Sequence, residues 1–372
     1  MLGAGFSVFV LFQGFSAPLA GAVISRKGVR FTMTVGAAVL TLAACAMAFF
    51  VSSPIAYFIM FGVLASVGSM MAGQVSTQSA IGEWFVAKRG VAMTVMMIIG
   101  ASASFVVPAL VEVVVRAMGG SWRAGWYLII AFAVCMIPMA LFLVKNRPSE
   151  IGQLPDGAES EGELAKSSLS FKVYKRSESL PFSKVLRTPS FWLISLAATG
   201  GFVAYTFTTA QGVLHFTTLG IDRVLIVAGV SIMGGATMIG KVVMGSLSDR
   251  VEPIRIVSAA GFVLAVGLLL AAAAANEYMM YAHYFLSGFG FGGLGACFPT
   301  AMANYFGPGS FSKKLGTGIF VTTIVASTLP IMGGALFDAT GSCVLAYFIT
   351  TAIVVVCAIC GLLVRIPSHR AS

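Results

Sequence analysis

The stretch GAVISRKGVR, residues 21–30, has a counterpart in GSLSDRVEPIR, residues 245–255. Each stretch leaves the end of a long apolar run as a short basic turn, and another apolar run follows it. We call them loop copy 1 (21–30) and loop copy 2 (245–255). Because they lie more than half the chain apart, they indicate that the chain is built from two related halves.

The composition predicts an integral membrane protein. Of 372 residues, 58% are hydrophobic and 10% are charged, whereas a soluble domain carries roughly 25% charged residues. Apolar segments recur along the whole length, so a cleaved secretion signal does not explain them. The net charge of +10 does not indicate nucleic-acid binding, because the basic residues lie in short loops between apolar segments.

Eleven apolar segments are long enough to cross roughly 30 Å of hydrocarbon as helices. Helices are expected because lipid offers no partner to a backbone polar group. The fold class predicted is therefore an all-α membrane protein with two pseudo-symmetric helical bundles. The predicted spans are 2–24, 32–52, 55–80, 90–117, 124–144, 190–215, 222–247, 254–275, 278–304, 314–337 and 343–365.

A polar stretch divides these spans into unequal groups. Residues 146–189 are rich in Ser, Glu and Lys, which predicts a mostly disordered linker with a short amphipathic helix near 182–186. The predicted organisation is an N-terminal bundle of five spans (1–145), the linker, and a C-terminal bundle of six spans (190–365). Residues 366–372 form a tail.

The distribution of Lys and Arg predicts the orientation. Nineteen of the 23 basic residues lie in the loops on the side of the linker, three (Arg116, Arg123 and Arg223) lie in the opposite loops, and Lys241 lies within a span. Basic loops stay in the cytoplasm. We therefore expect a multi-pass protein of the plasma (inner) membrane, with its linker and C-terminus in the cytoplasm and its N-terminus outside.

A second pair of matching segments shows which span of the first half corresponds to which span of the second. WFVAKRG (84–90) precedes the fourth span, and YF (305–306) with KKLG (313–316) precedes the tenth. In the second half, one span (190–215) precedes the span that leads into loop copy 2. In the first half, no span precedes the one that leads into loop copy 1. We therefore expect a 6 + 6 protein whose first helix is missing, through a misassigned start or a truncation.

These loops resemble a known family. Gly-x-x-x-Asp-Arg-x-Gly-x-Arg is the signature of the major facilitator superfamily of transporters, and loop copy 1 departs from it at Ser25 whereas loop copy 2 keeps Asp249. The segments WFVAKRGVA (84–92), RPSEIG (147–152) and LGI (219–221) are similar to its monocarboxylate porter branch, which includes the oxalate:formate antiporters. The resemblance covers nearly all of the chain except the linker, and it implies twelve helices where this chain has eleven.

The resemblance implies alternating access, in which two bundles rock around a central site. Arg26, Arg30, Asp249 and Arg250 are then candidates for a conformational latch, because charges at helix ends couple to the helix dipole and to facing carboxylates. The alternative is that each is a solvated positive-inside anchor. Ser25 weakens the case for loop copy 1, since it removes the acid that would organise the turn.

Lys241 is the clearest candidate for binding a substrate, because a charge inside a span indicates function. In the monocarboxylate branch, an Arg at the matching place binds the substrate carboxylate, and Lys can do so as a point charge. The alternative is a lysine that snorkels toward the cytoplasm. Oxalate carriers have a second Lys where this chain has VTTIV (321–325), so one carboxylate is favoured over two. Proton-coupled carriers have an Asp where this chain has Thr237.

Two residues are candidates for proton coupling. Glu112 lies one turn from Arg116, and the two are expected either to neutralise each other or to let Glu112 carry a proton. His283 lies in the outer part of its span and either titrates or packs through a hydrogen bond. His215, at the end of its span, is expected at the membrane interface.

The segment GFGFGGLG (288–295) contains G-x-G-x-x-G, but a dinucleotide site needs a preceding strand. Small residues in a span instead let helices approach closely, and Phe289 is a candidate to face the substrate. The six cysteines, including Cys357 and Cys360, are expected to be buried apolar residues. No P-loop, metal cluster or catalytic triad is present in the sequence, so no enzyme activity, metal or cofactor is expected.

The function predicted is secondary active transport of a small organic anion, a monocarboxylate, as an antiporter or a symporter. Its partners would be that anion, a coupled proton or counter-anion, and the lipid bilayer. Three alternatives stay open: an exporter of a neutral or cationic compound, a non-transporting membrane sensor, and an inactive truncated carrier.

Overall fold

A computed structural model describes residues 2–85, 89–160, 173–174, 176, 179–307 and 309–365. Within these ranges the chain forms helices and connecting turns, and no strand occurs among them. The predicted all-α class is confirmed.

The described residues form thirteen α-helices, one π-helical segment and two 3₁₀ turns. In chain order they are α1 (Leu2–Phe49), α2 (Pro54–Tyr57), a π-helical segment (Phe58–Ala65), α3 (Ser66–Ala72), α4 (Gln74–Trp84), α5 (Arg89–Ala117), α6 (Arg123–Phe142), two 3₁₀ turns (Pro148–Ile151 and Pro155–Gly157), α7 (Phe182–Val185), α8 (Pro189–Thr218), α9 (Arg223–Leu247), α10 (Pro253–Ala272), α11 (Glu277–Phe306), α12 (Phe311–Thr340) and α13 (Val344–Leu362). The short helix expected near 182–186 is confirmed as α7.

The non-helical segment in loop copy 1 is shorter than the sequence predicts. The expected loop between the first two spans shrinks to one non-helical residue, Gly28, with φ 86° and ψ 170°. L-residues rarely adopt that φ, and a Cβ at this position would also strike the Asn146 side-chain oxygen. Glycine is therefore required at Gly28 both for conformation and for space.

The third predicted span is irregular rather than a uniform helix. It starts at Pro54, behind a Ser53 hydroxyl that accepts from the Ala56 amide, passes through the π-helical segment and bends at Gly73 (φ −106°, ψ −109°). A π-helical turn widens the backbone and commonly occurs near functional sites. The span nevertheless continues to Trp84, so its existence agrees with the prediction.

Nine helical stretches among the described residues are long and apolar enough to cross a membrane. The first of them, Ser7–Phe49, holds 43 residues, about twice what one crossing needs, and Gly28 divides it. In α5 the apolar helical stretch among the described residues is shorter, Val91–Gly100. The count of eleven spans stays a prediction.

The chain forms two compact units. Unit 1 contains residues 1–87, 102–167 and 310–320, and unit 2 contains residues 88–101, 168–309 and 321–372. In unit 1, α1 packs on the π-helical segment, α3 and α6. In unit 2, α9 packs on α11, and α10 packs on both α11 and α13. The bundle boundaries drawn from the sequence stay predictions.

Glycines set the spacing between α9 and α11 in unit 2. A Cβ at Gly288 would strike the carbonyl oxygen of Met233, and one at Gly292 would strike that of Thr237. A Cβ at Gly240 on α9 would in turn strike the carbonyl oxygen of Phe289. The close helix approach predicted from the glycine-rich segment is therefore confirmed.

We expect Gly292→Val to destabilise the protein by about 1–3 kcal/mol, the usual cost of overpacking, because the obstacle is backbone that cannot move aside. The measurement is the thermal unfolding midpoint of the purified protein in detergent. Gly235→Ala on α9 is the matched control, since nothing lies within 4 Å of a Cβ there. Equal midpoints for both variants would contradict the packing described.

Candidate functional site

Lys241 lies on α9 directly after Gly240, one of the glycines that let α9 and α11 approach closely. Its side chain is half-buried, and its Nζ donates a hydrogen bond of 3.2 Å to the carbonyl oxygen of Met97 on α5. A Lys ammonium has three N–H donors. One of them meets a partner within the described part of the chain, which leaves two for a ligand.

The first part of α5 belongs to unit 2 and lies against α9 and α11. The Thr94 side chain occupies the space that a Cβ at Gly245 would fill. A Cβ at Gly295 would lie 3.7 Å from the Met97 sulfur. These contacts bring the Met97 carbonyl to the Lys241 ammonium. Sequence reasoning did not associate these two residues, because they are far apart in the chain.

Phe289 is half-buried, and its ring stacks on Phe285 with centroids 6.1 Å apart. The neighbouring aromatic Phe291 turns the other way, stacking on Tyr205 at 3.9 Å. A role for Phe289 in binding a substrate stays a prediction.

His283 is buried on α11. Its Nδ1 lies 2.8 Å from the carbonyl oxygen of Gly267, and since a carbonyl can only accept, Nδ1 carries the proton. Its Nε2 has no partner among the described residues. The packing alternative weighed for His283 therefore matches its surroundings, while one ring nitrogen stays available.

His215 is buried within unit 2. Only 1% of it is exposed, its Nε2 lies 2.8 Å from the Ala271 carbonyl oxygen, and its ring packs 4.6 Å from that of Tyr347. The ends of α8 and α10 and the start of α13 converge over this ring. Its position at the membrane interface stays a prediction.

The two histidines belong to an aromatic cluster at one end of unit 2. Tyr347 packs edge-on to His283 at 5.8 Å, and Tyr284 lies 5.2 Å from the same ring. The hydroxyls of Tyr284 and Tyr347 are buried and have no partner among the described residues. Sequence reasoning missed both tyrosines, because nothing in an isolated helix distinguishes them from core aromatics.

Loop copy 2 is a compact turn after α9. Asp249 and Arg250 lie in this turn, with the Arg250 amide donating to the Leu247 carbonyl oxygen at 2.9 Å. Arg255 then reaches the C-terminal end of α13, where its Nη1 donates to the Leu362 carbonyl oxygen at 2.8 Å. That contact places a cation at a helix C-terminus, where the dipole is negative.

Loop copy 1 is held by Asn146. The Asn146 Oδ1 accepts from the Arg30 amide at 3.0 Å, and its Nδ2 donates to Glu150 Oε1 at 2.9 Å. The bond from the Asn146 side chain, and after it the bond from the Asn146 amide to Glu150 Oε2 at 3.1 Å, lower the pKa of Glu150 below its ordinary value. Arg26 is exposed on the same turn. The latch roles of Arg26, Arg30, Asp249 and Arg250 stay predictions.

The side chain of Glu112 lies outside the described residues, so its two proposed roles stay open. All six cysteines are free thiols. Within the described ranges, no group of three or more His, Cys, Asp or Glu side chains could hold a metal ion.

We expect Tyr347→Phe to leave the unfolding midpoint unchanged or to raise it. The substitution removes a buried hydroxyl that has no partner among the described residues, and an unmet polar group costs about 1–3 kcal/mol. His283→Phe is the matched comparison in the same cluster and should lower the midpoint, since the Gly267 carbonyl loses its donor. Thermal unfolding in detergent measures both. A clear loss of stability in Tyr347→Phe would show that its hydroxyl has a partner.

Comparisons with known proteins agree with this architecture. A sequence model of the Major Facilitator Superfamily matches residues 1–308 and 216–372. The uncharacterized MFS-type transporter YhjX of Escherichia coli K12 is 25% identical over 193 residues, covering 50% of this chain and 42% of YhjX. The membrane sensor protein UhpC of Salmonella typhimurium LT2 is 28% identical over 196 residues, covering 49% and 43%.

The matched regions thus span less than half the length of either relative. Among solved structures, the E. coli fucose:proton symporter FucP superposes with a TM-score of 0.72 at 13% identity, covering 98% of this chain and 91% of FucP. At that identity the likeness concerns the fold alone, and it confirms the predicted major facilitator fold. Since the family match runs through the whole chain, this protein belongs to the Major Facilitator Superfamily.

Proposed function

We propose that this protein is a secondary carrier that moves a small organic anion, a monocarboxylate, across the membrane by alternating access. The coarser conclusion, a multi-pass membrane protein of a transporter family, follows from the family match. The substrate, the branch, the inner membrane and the cytoplasmic linker belong to the proposal.

The observation that carries the proposal is the ammonium of Lys241 on an apolar helix. A lysine at the centre of a membrane helix costs about 2.5–3.5 kcal/mol on insertion scales. Lys241 lies nearer the end of α9, at Leu247, so its cost is smaller, and the hydrogen bond to the Met97 carbonyl oxygen offsets part of it. A carboxylate would complete the coordination with a charge-assisted hydrogen bond. Phe289, one helix away, would then contact the apolar part of the substrate.

The charge balance favours one carboxylate over two. Residues 315–337 of α12 carry no Lys or Arg, and Thr322 and Thr323 are buried there. A dicarboxylate would leave its second charge without a cation in the span that supplies one in oxalate carriers. Thr323, like Thr237 on α9, has a polar hydroxyl but no charge.

We expect Lys241→Ala to abolish uptake of labelled monocarboxylates such as lactate, because the anion loses its only proposed cation. Lys241→Arg should retain part of the uptake, since Arg keeps the charge with a different geometry. The measurement is initial uptake into proteoliposomes, with dicarboxylates and sugars as competitors.

Lys184→Ala is the matched control, since Lys184 is an exposed lysine on α7 and its loss should leave uptake unchanged. Wild-type uptake by Lys241→Ala would remove Lys241 from the site. Competition by neutral or cationic compounds, but not by carboxylates, would favour the exporter alternative.

A second candidate function is a non-transporting membrane sensor, which the similarity to the membrane sensor UhpC favours. A sensor would bind its ligand without carrying it across. Saturable binding of a monocarboxylate to the purified protein, with no flux into proteoliposomes, would support this alternative over the carrier.

Proton coupling has two candidates in this proposal, Glu112 and His283. We expect either Glu112→Gln or His283→Gln to lose accumulation driven by a pH gradient while keeping exchange of labelled for unlabelled substrate, because exchange does not require the proton to be released. Both assays use the same proteoliposomes. Full gradient-driven accumulation in both variants would exclude the two residues as the coupling site.

A further inference from the structure

Unit 1 contains a polar cavity of about 180 Å³ at loop copy 1. Four segments of this unit line it: α1 around Gly28, α4, the residues after α6, and the start of α12. We call it the serine cavity. Its lining residues are Ile24, Ser25, Gly28, Val29, Ser79, Glu83, Asn146, Arg147, Ser310, Phe311 and Ser312.

The start of α12 provides unpaired amides at this cavity. Ser310 precedes the helix with φ 55°, and its carbonyl oxygen accepts from the amides of Lys313 and Lys314. The amides of Phe311 and Ser312 have no acceptor within the helix, because the first turn of any α-helix leaves its N–H groups unpaired. An N-terminus of a 30-residue helix is a favourable place for an anion.

Ser79 gives a second, independent indication of a ligand. It lines the cavity from α4 and is 3% exposed, yet its hydroxyl has no hydrogen-bond partner among the described residues. The two neighbouring serines differ, since Ser25 donates to the Ala22 carbonyl oxygen at 2.8 Å and Ser312 donates to that of Gly21 at 3.2 Å. A buried hydroxyl without a hydrogen-bond partner is costly, unless a ligand accepts a hydrogen bond from it.

The charges around the cavity favour an anion over a cation. The carboxylate in the lining, that of Glu83, lies 3.8 Å from the Arg147 guanidinium, so the pair is formally neutral. The helix N-terminus adds positive potential. Loop copy 1 carries Ser25 where loop copy 2 carries Asp249, so this turn supplies no carboxylate of its own to the helix terminus.

The cavity also has room for such a ligand. A water molecule occupies about 30 Å³ of liquid, so the serine cavity accommodates a tetrahedral oxyanion together with some water. Four oxygens of one oxyanion can accept from the Ser79 hydroxyl, the first amides of α12 and the Arg147 guanidinium. The walls are already close-packed, because Gly21 lies against Ser312 and Gly82 lies against Phe311.

We propose that the serine cavity binds a phosphate group, and that this bound anion supplies the negative charge that Ser25 does not. The anion fastens the Gly28 bend of α1 to the first turn of α12, both of which belong to unit 1. The site is separate from Lys241, which belongs to unit 2. The outcome of a test of the phosphate site therefore does not depend on which substrate the protein transports.

The test is a titration of the purified protein with inorganic phosphate at constant ionic strength, with chloride as the balancing anion. The readouts are the unfolding midpoint and the tryptophan fluorescence, to which Trp84 contributes beside this site, where its Nε1 donates to the Lys145 carbonyl oxygen at 3.3 Å. We expect a saturable rise in the midpoint with phosphate. No rise beyond that in chloride overturns the proposal.

Two variants make the test specific. Ser79→Ala should weaken phosphate binding roughly tenfold, as expected for the loss of one hydrogen bond to a charged group. Ser25→Asp should raise the midpoint without phosphate and lose the phosphate response, because it supplies the charge within the chain. Ser16→Ala is the control, since Ser16 is also 3% exposed but donates to the Phe12 carbonyl oxygen. A full phosphate response in Ser25→Asp overturns the proposal.

Titrations in two lipid compositions identify the source of the phosphate group. The same titration is repeated in nanodiscs of phosphatidylcholine alone and of phosphatidylcholine with phosphatidylglycerol. A response to inorganic phosphate in both discs assigns a soluble phosphate. A higher midpoint in phosphatidylglycerol that is absent in Ser79→Ala assigns a lipid headgroup. Equal midpoints under every condition overturn the proposal.

Discussion

Every polar group inside the spans must find its partner within the protein, because hydrocarbon offers none. The hydroxyls on the helices therefore fold back on their own backbone, as Thr199 does on Ser195, Thr237 on Met233 and Thr350 on Ala346, at 2.7–2.9 Å. With those groups satisfied locally, the helices associate through shape. Close approach then depends on glycines such as Gly288 and Gly292, which rest against backbone carbonyls.

Several buried polar atoms among the described residues depart from this rule. Lys241 carries a charge with a single described hydrogen bond. His283 and Tyr347 leave polar atoms unmet in one aromatic cluster of unit 2, and Ser79 does so at the serine cavity of unit 1. Other unmet atoms lie elsewhere, such as both amide atoms of the Gln78 side chain. Unmet polar groups in a packed interior are costly, so those that share a cluster or line a cavity are places to look for ligands and protons.

Sequence reasoning succeeded where the signal is local. Apolar length and helix-ending residues predicted the helices, and the glycine-rich segment 288–295 predicted close packing, which Gly240 completes from α9. It was less accurate at loop copy 1, because a single glycine with a positive φ breaks the helix in place of a seven-residue loop. It did not predict the burial of the His215 ring, because that burial depends on α10 and α13, which no pattern within α8 reports.

The sequence by itself determined that this is an all-helical membrane protein of two related halves, that it carries a cation on a membrane helix, and that loop copy 1 lacks an acid at Ser25. Composition, apolar length and the comparison of loop copies 1 and 2 suffice for these conclusions, since none of them requires knowing which residues meet in space. Only the tertiary structure brought the Met97 carbonyl to Lys241, and the start of α12 to Ser79 and Gly28. Those contacts join segments far apart in the chain, and their distances follow from how closely the helices pack.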